Sequence, residues 1–500
     1  MTLSYSPREG TATPAPPPTP ADAVAEAVTA GAAAAGPAAA HRPGGRAAWL
    51  GAIARAVEAH SGELTALADE ETALGLPRLA GELAGAARSL RFYGAVATEG
   101  SYLGAVIDHA SHPDSGIPAR PDLRRARAPF GPVAVFGASN FPFGFGVLGH
   151  DTASALAAGC PVIVKAHPAH PRLSARLGEL AAQALAGAGA PAGTLQVVHG
   201  FEAGRQLVTH PGVRAVGFTG SQAGGLALWR LAATRDEVIP VYAEMGTVNT
   251  VVVTPDAARE RGPQIAAGFV GSFTLGMGQF CTKPGLLLVP AGHGLPEEVA
   301  RALEAAEPGG WLLTEAIAGA YADGLRRLEE AGAKVMTRTP PAAGGWAASP
   351  ALLRADSALL TAGSALLAEC FGPVALVAEY PSEAALAAVL RELPGSLAAA
   401  VHGTDGDPRL PALVAELSQR CGRVVVNGWP TGVAVGWAQQ HGGPWPATTA
   451  PAYSSVGAAA LDRWTRPVAF QDVPDGALPP ALRDANPWRL PRRVDGILST

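Results

Sequence analysis

The chain has 500 residues, a formal net charge of −5, 48% hydrophobic and 16% charged residues. That length outgrows a single hydrophobic core, so two or three packed units are expected, and the composition excludes a disordered chain. The slight negative balance offers no electrostatic case for nucleic acid.

Residues 1–20, rich in Pro, Thr and Ala, are expected to be disordered, and the Ala-rich run to about 45 reads as loose helix or linker. No basic start leads into an apolar core here, and no later stretch gives about 18 uninterrupted apolar residues, so neither export nor membrane spanning is expected. Trp49, Ile53 and Val57, then Leu79, Leu83 and Leu90, recur at helical spacing and predict a helical preface. The one dense basic run, RPDLRRAR (120–127), reads as a solvated arm or loop.

From residue 133 short β-branched runs alternate with Ala-rich segments: VAVFG (133–137), VIVK (162–165), LQVV (195–198), AVGF (215–218) and VYA (241–243). This alternation predicts a parallel sheet with crossover helices, whose ligands sit at the strands' carboxyl ends. A second series follows, TVVV (250–253), LLLV (286–289), VALVAEY (374–380) and RVVVNG (423–428), and predicts a second α/β domain. No fixed-period repeat argues for a solenoid.

Four cysteines, Cys160, Cys281, Cys370 and Cys421, lack CxxC or Cys/His ligand spacing, so neither a metal site nor a disulfide framework is expected and a reducing cytoplasm fits. Free cysteine is usually buried filler, which suits Cys160 and Cys421 beside strands. Cys281 differs: in GMGQFCTKPG (276–285) its glycine neighbours let the backbone expose a nucleophilic sulfur. FTGSQAGG (218–225) follows a strand and opens a helix, so Ser221 and nearby N–H groups can face a phosphate, although the GxGxxG spacing is missing. GASNFPFGFG (137–146) puts Asn140 on a loop at the sheet's carboxyl edge, where an amide can donate to an oxyanion or simply shape a turn. Glu244 in AEMG and Glu369 in AECFGP are carboxylates among apolar residues, a costly placement unless they are used or paired.

Taken in order, SNFPF, GCPVIVK, FTGS, AEMG, GQFCTKPG and ECFGPV resemble the NAD(P)-dependent aldehyde dehydrogenases from about residue 45 to 495. AHPAHP (166–171), NGWPTGV (427–433), HGGPWPAT (441–448), SSVG (454–457) and RPVAFQ (466–471) look like the NADP-preferring branch, which includes α-ketoglutaric semialdehyde (2,5-dioxovalerate) dehydrogenases and a bacterial fatty aldehyde dehydrogenase. The resemblance implies two Rossmann-like parallel α/β domains plus a small β oligomerisation element. Its parts would be a loosely ordered segment 1–45, a coenzyme-binding domain 46–245, a catalytic domain 246–435 and a C-terminal segment 436–500. The oligomerisation element would combine 117–130 with a strand near 452–473, giving a homodimer or homotetramer.

By the same resemblance, Cys281 attacks the aldehyde, Asn140 and the Cys281 N–H hold the oxyanion, and Glu244 activates the water that hydrolyses the thioester. Lys165 would bind the adenosine ribose or its 2′-phosphate, Ser221 with Gly220 and Gly225 the pyrophosphate, and Glu369 the nicotinamide ribose, with Phe371 beside it. NAD-preferring sites commonly carry an acid three positions beyond this lysine; Pro168 stands there, so NADP is expected over NAD, with His167 and Arg205 as further phosphate contacts. Lys283 replaces the asparagine usual in this branch and reads as a solvent-directed cation, with a lowered Cys281 pKa or an anionic substrate as its other uses. The expected reaction is oxidation of α-ketoglutaric semialdehyde, with aliphatic or fatty aldehydes as the near alternative. A cofactor-independent thiol hydrolase is the reading from another class, and it needs a histidine paired with Cys281; none lies in the motifs near Cys281, Glu244 or Asn140.

Overall fold

The computed structural model describes residues 2–111 and 119–499. The helical preface is present as Pro43–Ala59, Ser61–Thr72 and Leu76–Glu99. Trp49, Ile53, Val57, Leu79, Leu83 and Leu90 are all buried, each contributing roughly 2 kcal/mol over an exposed position. This packing fixes Leu76–Glu99 against the loop that follows the first strand of the parallel sheet, Val133–Phe136.

That sheet has five parallel strands in the spatial order Leu195–Val198, Val162–Lys165, Val133–Phe136, Ala215–Gly220 and Val241–Met245. All five match the expected strands. From Val133–Phe136 the chain steps outward one way, then returns to build on the other side, so a crevice opens at the carboxyl ends where the direction reverses. Asn140, Lys165, Ser221 and Glu244 all lie at or just beyond those ends.

The second sheet runs Lys334–Arg338, Ala351–Asp356, Val374–Tyr380, Leu286–Pro290, Thr250–Val253, Ser396–His402 and Cys421–Val426. Its strands are parallel except the first, which is antiparallel to its neighbour. Ser396–His402 was not expected: its alanines read as helix, but every residue of the strand is buried, and a strand covered on both faces needs small apolar side chains, not alternation.

A third sheet orders Thr465–Gln471, Leu123–Pro129, Ala105–Asp108, Arg492–Val494 and Ile497–Ser499. The basic run is therefore strand for most of its length, not a solvated arm. Arg124 is buried because Asp122 and Asp484 accept from it at 2.8 and 2.6 Å. Leu123–Pro129 pairs antiparallel with Thr465–Gln471, which joins the two segments expected to form the small β element; positions 117 and 118 lie outside the described residues.

Residues 2–20 contain paired strands, against the expected disorder, while the Ala-rich run takes the helical of its two expected readings. Leu3–Tyr5 and Ala12–Pro14 form an antiparallel hairpin, and Ala21–Ala40 is helix. Few apolar residues dock it; the work falls to polar groups that composition does not reveal. Ser4 donates to buried Glu71, Arg8 pairs with Asp69 at 2.9 Å, and the Trp346 N–H donates to the Pro7 carbonyl. By length and composition Ala21–Ala40 could cross a membrane, and here Val24 and Val28 pack into one core with Ile163 and Val198.

Candidate active site

Cys281 follows a turn built from three successive left-handed residues, Gly276 (φ 56°), Met277 (φ 58°) and Gly278 (φ 64°). A Cβ at Gly278 would collide with the Gly372 carbonyl, so glycine alone lets the nucleophile turn pass that loop. Met277 has no such freedom and holds about 1 kcal/mol of backbone strain. The turn is pinned from beneath by Asn249, itself left-handed (φ 48°), whose amide donates to the carbonyls of Cys281 (2.8 Å) and Lys283 (3.1 Å).

Glu244 ends the strand Val241–Met245 and is buried. The segment 441–455 runs beside this strand: Met245 N–H donates to Ala447 O and Ala243 N–H to Thr449 Oγ1. It thereby delivers His441 between the two expected catalytic groups. His441 Nε2 is 3.7 Å from Cys281 Sγ, and Nδ1 is 3.5 Å from Glu244 Oε2, which also accepts from Ser455 Oγ. Sulfur, imidazole and carboxylate all converge within 4.8 Å. Among the described residues Glu244 Oε1 is buried with no partner.

Burial sets the protonation states. Desolvation pushes the Cys281 thiol well up, and the carboxylates of Glu244 and Glu369 push it further, so it rests protonated. Desolvation raises Glu244 to about 7, opposed by the Ser455 hydroxyl. His441 is driven down to about 3 by desolvation and by Arg423, so its ring is neutral and free to accept a proton.

Asn140 sits in the loop after Val133–Phe136, with its amide Nδ2 donating to the Gln279 carbonyl at 2.9 Å. One amide N–H therefore faces the nucleophile turn, and the other remains for a ligand. Asn140 O accepts from Arg78 at 2.8 Å.

Of the expected cofactor residues, Lys165 is buried at the end of its strand, with its ammonium 4.7 Å from the Phe201 ring centre and no ion pair among the described residues. Desolvation lowers it to about 8. An unpaired buried cation at the carboxyl edge of a parallel sheet fits an anionic or ribose-bearing ligand. Ser221 caps the helix Gln222–Ala232, its Oγ accepting from Gly224 N–H at 3.2 Å. Gly220 and Gly225 leave no room for a Cβ, against Phe218 and Met245 respectively. His167 accepts from Ala169 N–H at 3.1 Å and is held neutral by burial and by its neighbours His170 and Lys165. The Arg205 guanidinium lies 3.6 Å from Glu202 on an exposed helix face, one residue beyond Gly204, where a Cβ would touch Lys165. Glu369 packs against Gly246, where a Cβ would overlap its carboxylate, and the half-buried Phe371 follows two residues on.

Lys283 corrects its expectation. It is buried, not solvent-directed, and its ammonium donates to Cys370 O (2.9 Å) and Val374 O (2.8 Å), so it ties the loop around Glu369 to the nucleophile turn. Cys160 and Cys421 are buried and free, as expected for filler, and Cys370 is buried and free as well.

His441, Ser455, Asn249 and Arg78 were missed as site residues. HGGPWPAT and SSVG stood out as motifs, but a contact made across 160 positions, His441 to Cys281, leaves no local spacing to read.

At the carboxyl edge of a doubly wound parallel sheet the fold gathers a thiol, an imidazole, a carboxylate and an amide. The aldehyde dehydrogenase family model matches residues 3–444, and the chain belongs to that family, whose members oxidise aldehydes with NAD(P). It is 46% identical over 462 residues to alpha-ketoglutaric semialdehyde dehydrogenase 2 of Azospirillum brasilense, covering 90% of this chain and 87% of that one. It is 39% identical over 459 residues to alpha-ketoglutaric semialdehyde dehydrogenase of Acinetobacter baylyi, covering 91% and 87%. The fold is shared with a solved 3,6-anhydro-L-galactose dehydrogenase at TM-score 0.80 and 21% identity, over 94% of this chain and 95% of that one.

Proposed function

We propose that this enzyme oxidises α-ketoglutaric semialdehyde to 2-oxoglutarate with NADP as its preferred hydride acceptor. The substrate is supported by the two relatives of that name, which match nearly the whole chain. The observation that carries the chemistry is the convergence of Cys281, His441 and Glu244 beside the Asn140 amide.

The thiol rests protonated, so attack begins with passage of its proton through the neutral His441 ring, Nε2 accepting from Sγ as Nδ1 gives its own proton to the Glu244 carboxylate, and no imidazolium is left standing. Sγ adds to the aldehyde carbon, and the oxyanion of the thiohemiacetal takes hydrogen bonds from the free Asn140 N–H and the Cys281 backbone N–H. NADP, when bound, supplies the hydride acceptor that turns this adduct into a thioester. Glu244, partly ionised at neutral pH, then takes a proton from the water that attacks the thioester carbonyl, and the Ser455 hydroxyl holds the carboxylate in place. Release of the acid returns the sulfur as thiolate, which recovers its proton.

Lys165 would hold the adenosine ribose or its 2′-phosphate, the Ser221 turn the pyrophosphate and Glu369 the nicotinamide ribose. Preference for NADP is supported by Pro168, which leaves no carboxylate to repel a 2′-phosphate. His441 supplies the histidine that a thiol hydrolase needs, yet the buried cation at Lys165 has no use in cofactor-independent hydrolysis. Four free cysteines fit a reducing cytoplasm, and the open edge strand Thr465–Gln471 fits a homodimer or homotetramer.

The test is steady-state kinetics of the purified protein with α-ketoglutaric semialdehyde, succinic semialdehyde and medium-chain alkanals, with NADP and NAD in turn. The highest kcat/KM is expected for the keto acid with NADP. A higher value for an alkanal overturns the substrate, and a higher value with NAD overturns the cofactor.

A further inference from the structure

Helix Leu76–Glu99 contributes two half-buried charged groups, one turn apart, to the loop that carries Asn140. Arg78 donates through Nη2 to Asn140 O at 2.8 Å. Its guanidinium lies 5.2 Å from the ring centre of Phe141 and 4.9 Å from that of Phe280, the residues next to Asn140 and Cys281. Glu82 Oε1 accepts from the N–H groups of Phe143 and Gly144 at 2.8 and 2.9 Å. One helix therefore grips this loop by its carbonyl and by two of its amides. The same guanidinium fills the space beside Gly276, where a Cβ would collide with it, so the nucleophile turn and the amide loop share one support.

We propose that Arg78, with Glu82, is a positioning residue that holds the Asn140 amide in register with the nucleophile turn; the inference rests on the oxyanion role proposed for Asn140. Stability alone does not account for the arginine. Its Nη1 is buried with no acceptor, and Arg78 and Glu82 form no ion pair among the described residues. Replacing buried charges by apolar side chains of similar size is often neutral for stability, and Glu82, whose charge acts on Arg78, keeps its two backbone donors without it. What methionine cannot replace is the donor to Asn140 O. Arg423, a cation whose charge reaches Cys281, donates elsewhere, to Pro430 O.

A double-mutant cycle tests this. Arg78→Met is expected to lower kcat by about 10- to 100-fold, short of the roughly 100- to 1000-fold for a deleted oxyanion donor, while the protein stays folded at the assay temperature and NADP binding measured by fluorescence titration changes little. Arg78→Lys should recover part of the rate. Asn140→Ala should be slower still, and the double variant should stay within about threefold of Asn140→Ala, because two residues acting through one hydrogen bond are not additive. Additive losses overturn the inference, as does a falling thermal midpoint that tracks activity. A loss in Arg78→Met confined to carboxylate-bearing aldehydes also overturns it, since the arginine would then bind substrate directly. If Asn140→Ala leaves kcat unchanged, the oxyanion role itself fails, which separates the two failures.

Discussion

A thiol that rests protonated needs a base within reach before it can attack, and His441 holds that place. Its neutral ring is 3.7 Å from Sγ, and burial alone would leave Cys281 unreactive at neutral pH. His441→Gln should therefore lower kcat/KM by about 100- to 1000-fold at pH 7, with the deficit shrinking as pH rises and the thiol ionises unaided. The rate of Cys281 alkylation by iodoacetamide against pH reads this directly; an unchanged profile would show that the ring does not take the proton. Glu244 acts twice, as acceptor of the relayed proton and again in deacylation. Its folded pKa of about 7 lies above the ordinary carboxylate value, so its basic form grows as pH rises through neutrality and is lost as pH falls. Both steps should follow that sign. Glu244→Gln should slow the first release of reduced nicotinamide and stop steady turnover, because glutamine neither takes the relayed proton nor activates water. A full-rate burst followed by a stall would confine Glu244 to deacylation.

At the scale of elements, the site is assembled from loops held by buried polar ties. Lys283 is the clearest: its ammonium bridges the nucleophile turn to the carbonyls of Cys370 and Val374, either side of the loop that follows Glu369. Lys283→Met should leave both carbonyls without that donor, at about 1–3 kcal/mol each, and so lower the thermal midpoint. It should also raise KM for NADP, since Glu369 loses the anchor of its loop. Calorimetry and cofactor titration check the two effects; a stable variant with normal KM would return Lys283 to a bystander. The same contrast explains what the sequence discloses. β-branched runs such as VIVK and TVVV announce their strands because period and composition agree, and the glycines around Cys281 announce an open turn. Ser396–His402 hides among alanines, and the N-terminal hairpin hides because Ser4, Pro7 and Arg8 dock through hydrogen bonds, not apolar area. Cys281, Glu244 and Asn140 were legible by resemblance; His441, Ser455 and Arg78 were not, because each reaches its partner through tertiary packing alone.

At the scale of the whole molecule, the two parallel sheets face one cleft, and the third sheet closes neither of them. Thr465–Gln471 lies at its edge, paired on one side to Leu123–Pro129 and unpaired on the other, with Arg466, Pro467, Ala469 and Gln471 exposed. An edge strand with free backbone groups and few charges is a template for a second chain unless something covers it. Pro467 has no N–H to give, but alternate residues along the rest of the strand keep outward-facing N–H and C=O groups. The closed symmetric solution is a second copy meeting the same strand, which gives a dimer, and pairing of dimers gives a tetramer. Light scattering should return at least twice the chain mass at micromolar concentration. Ala469→Asp, which sets a charge opposite Arg125 on that exposed strand where a second chain would have to cover it, should shift the distribution toward monomer while leaving the far-ultraviolet spectrum intact. The catalytic cleft lies in other sheets, so the aldehyde should still give its burst of reduced nicotinamide in that monomer. A wild-type chain that stays monomeric would show instead that this edge is covered by another molecule or tolerated bare, and the proposed assembly would fall while the chemistry stood.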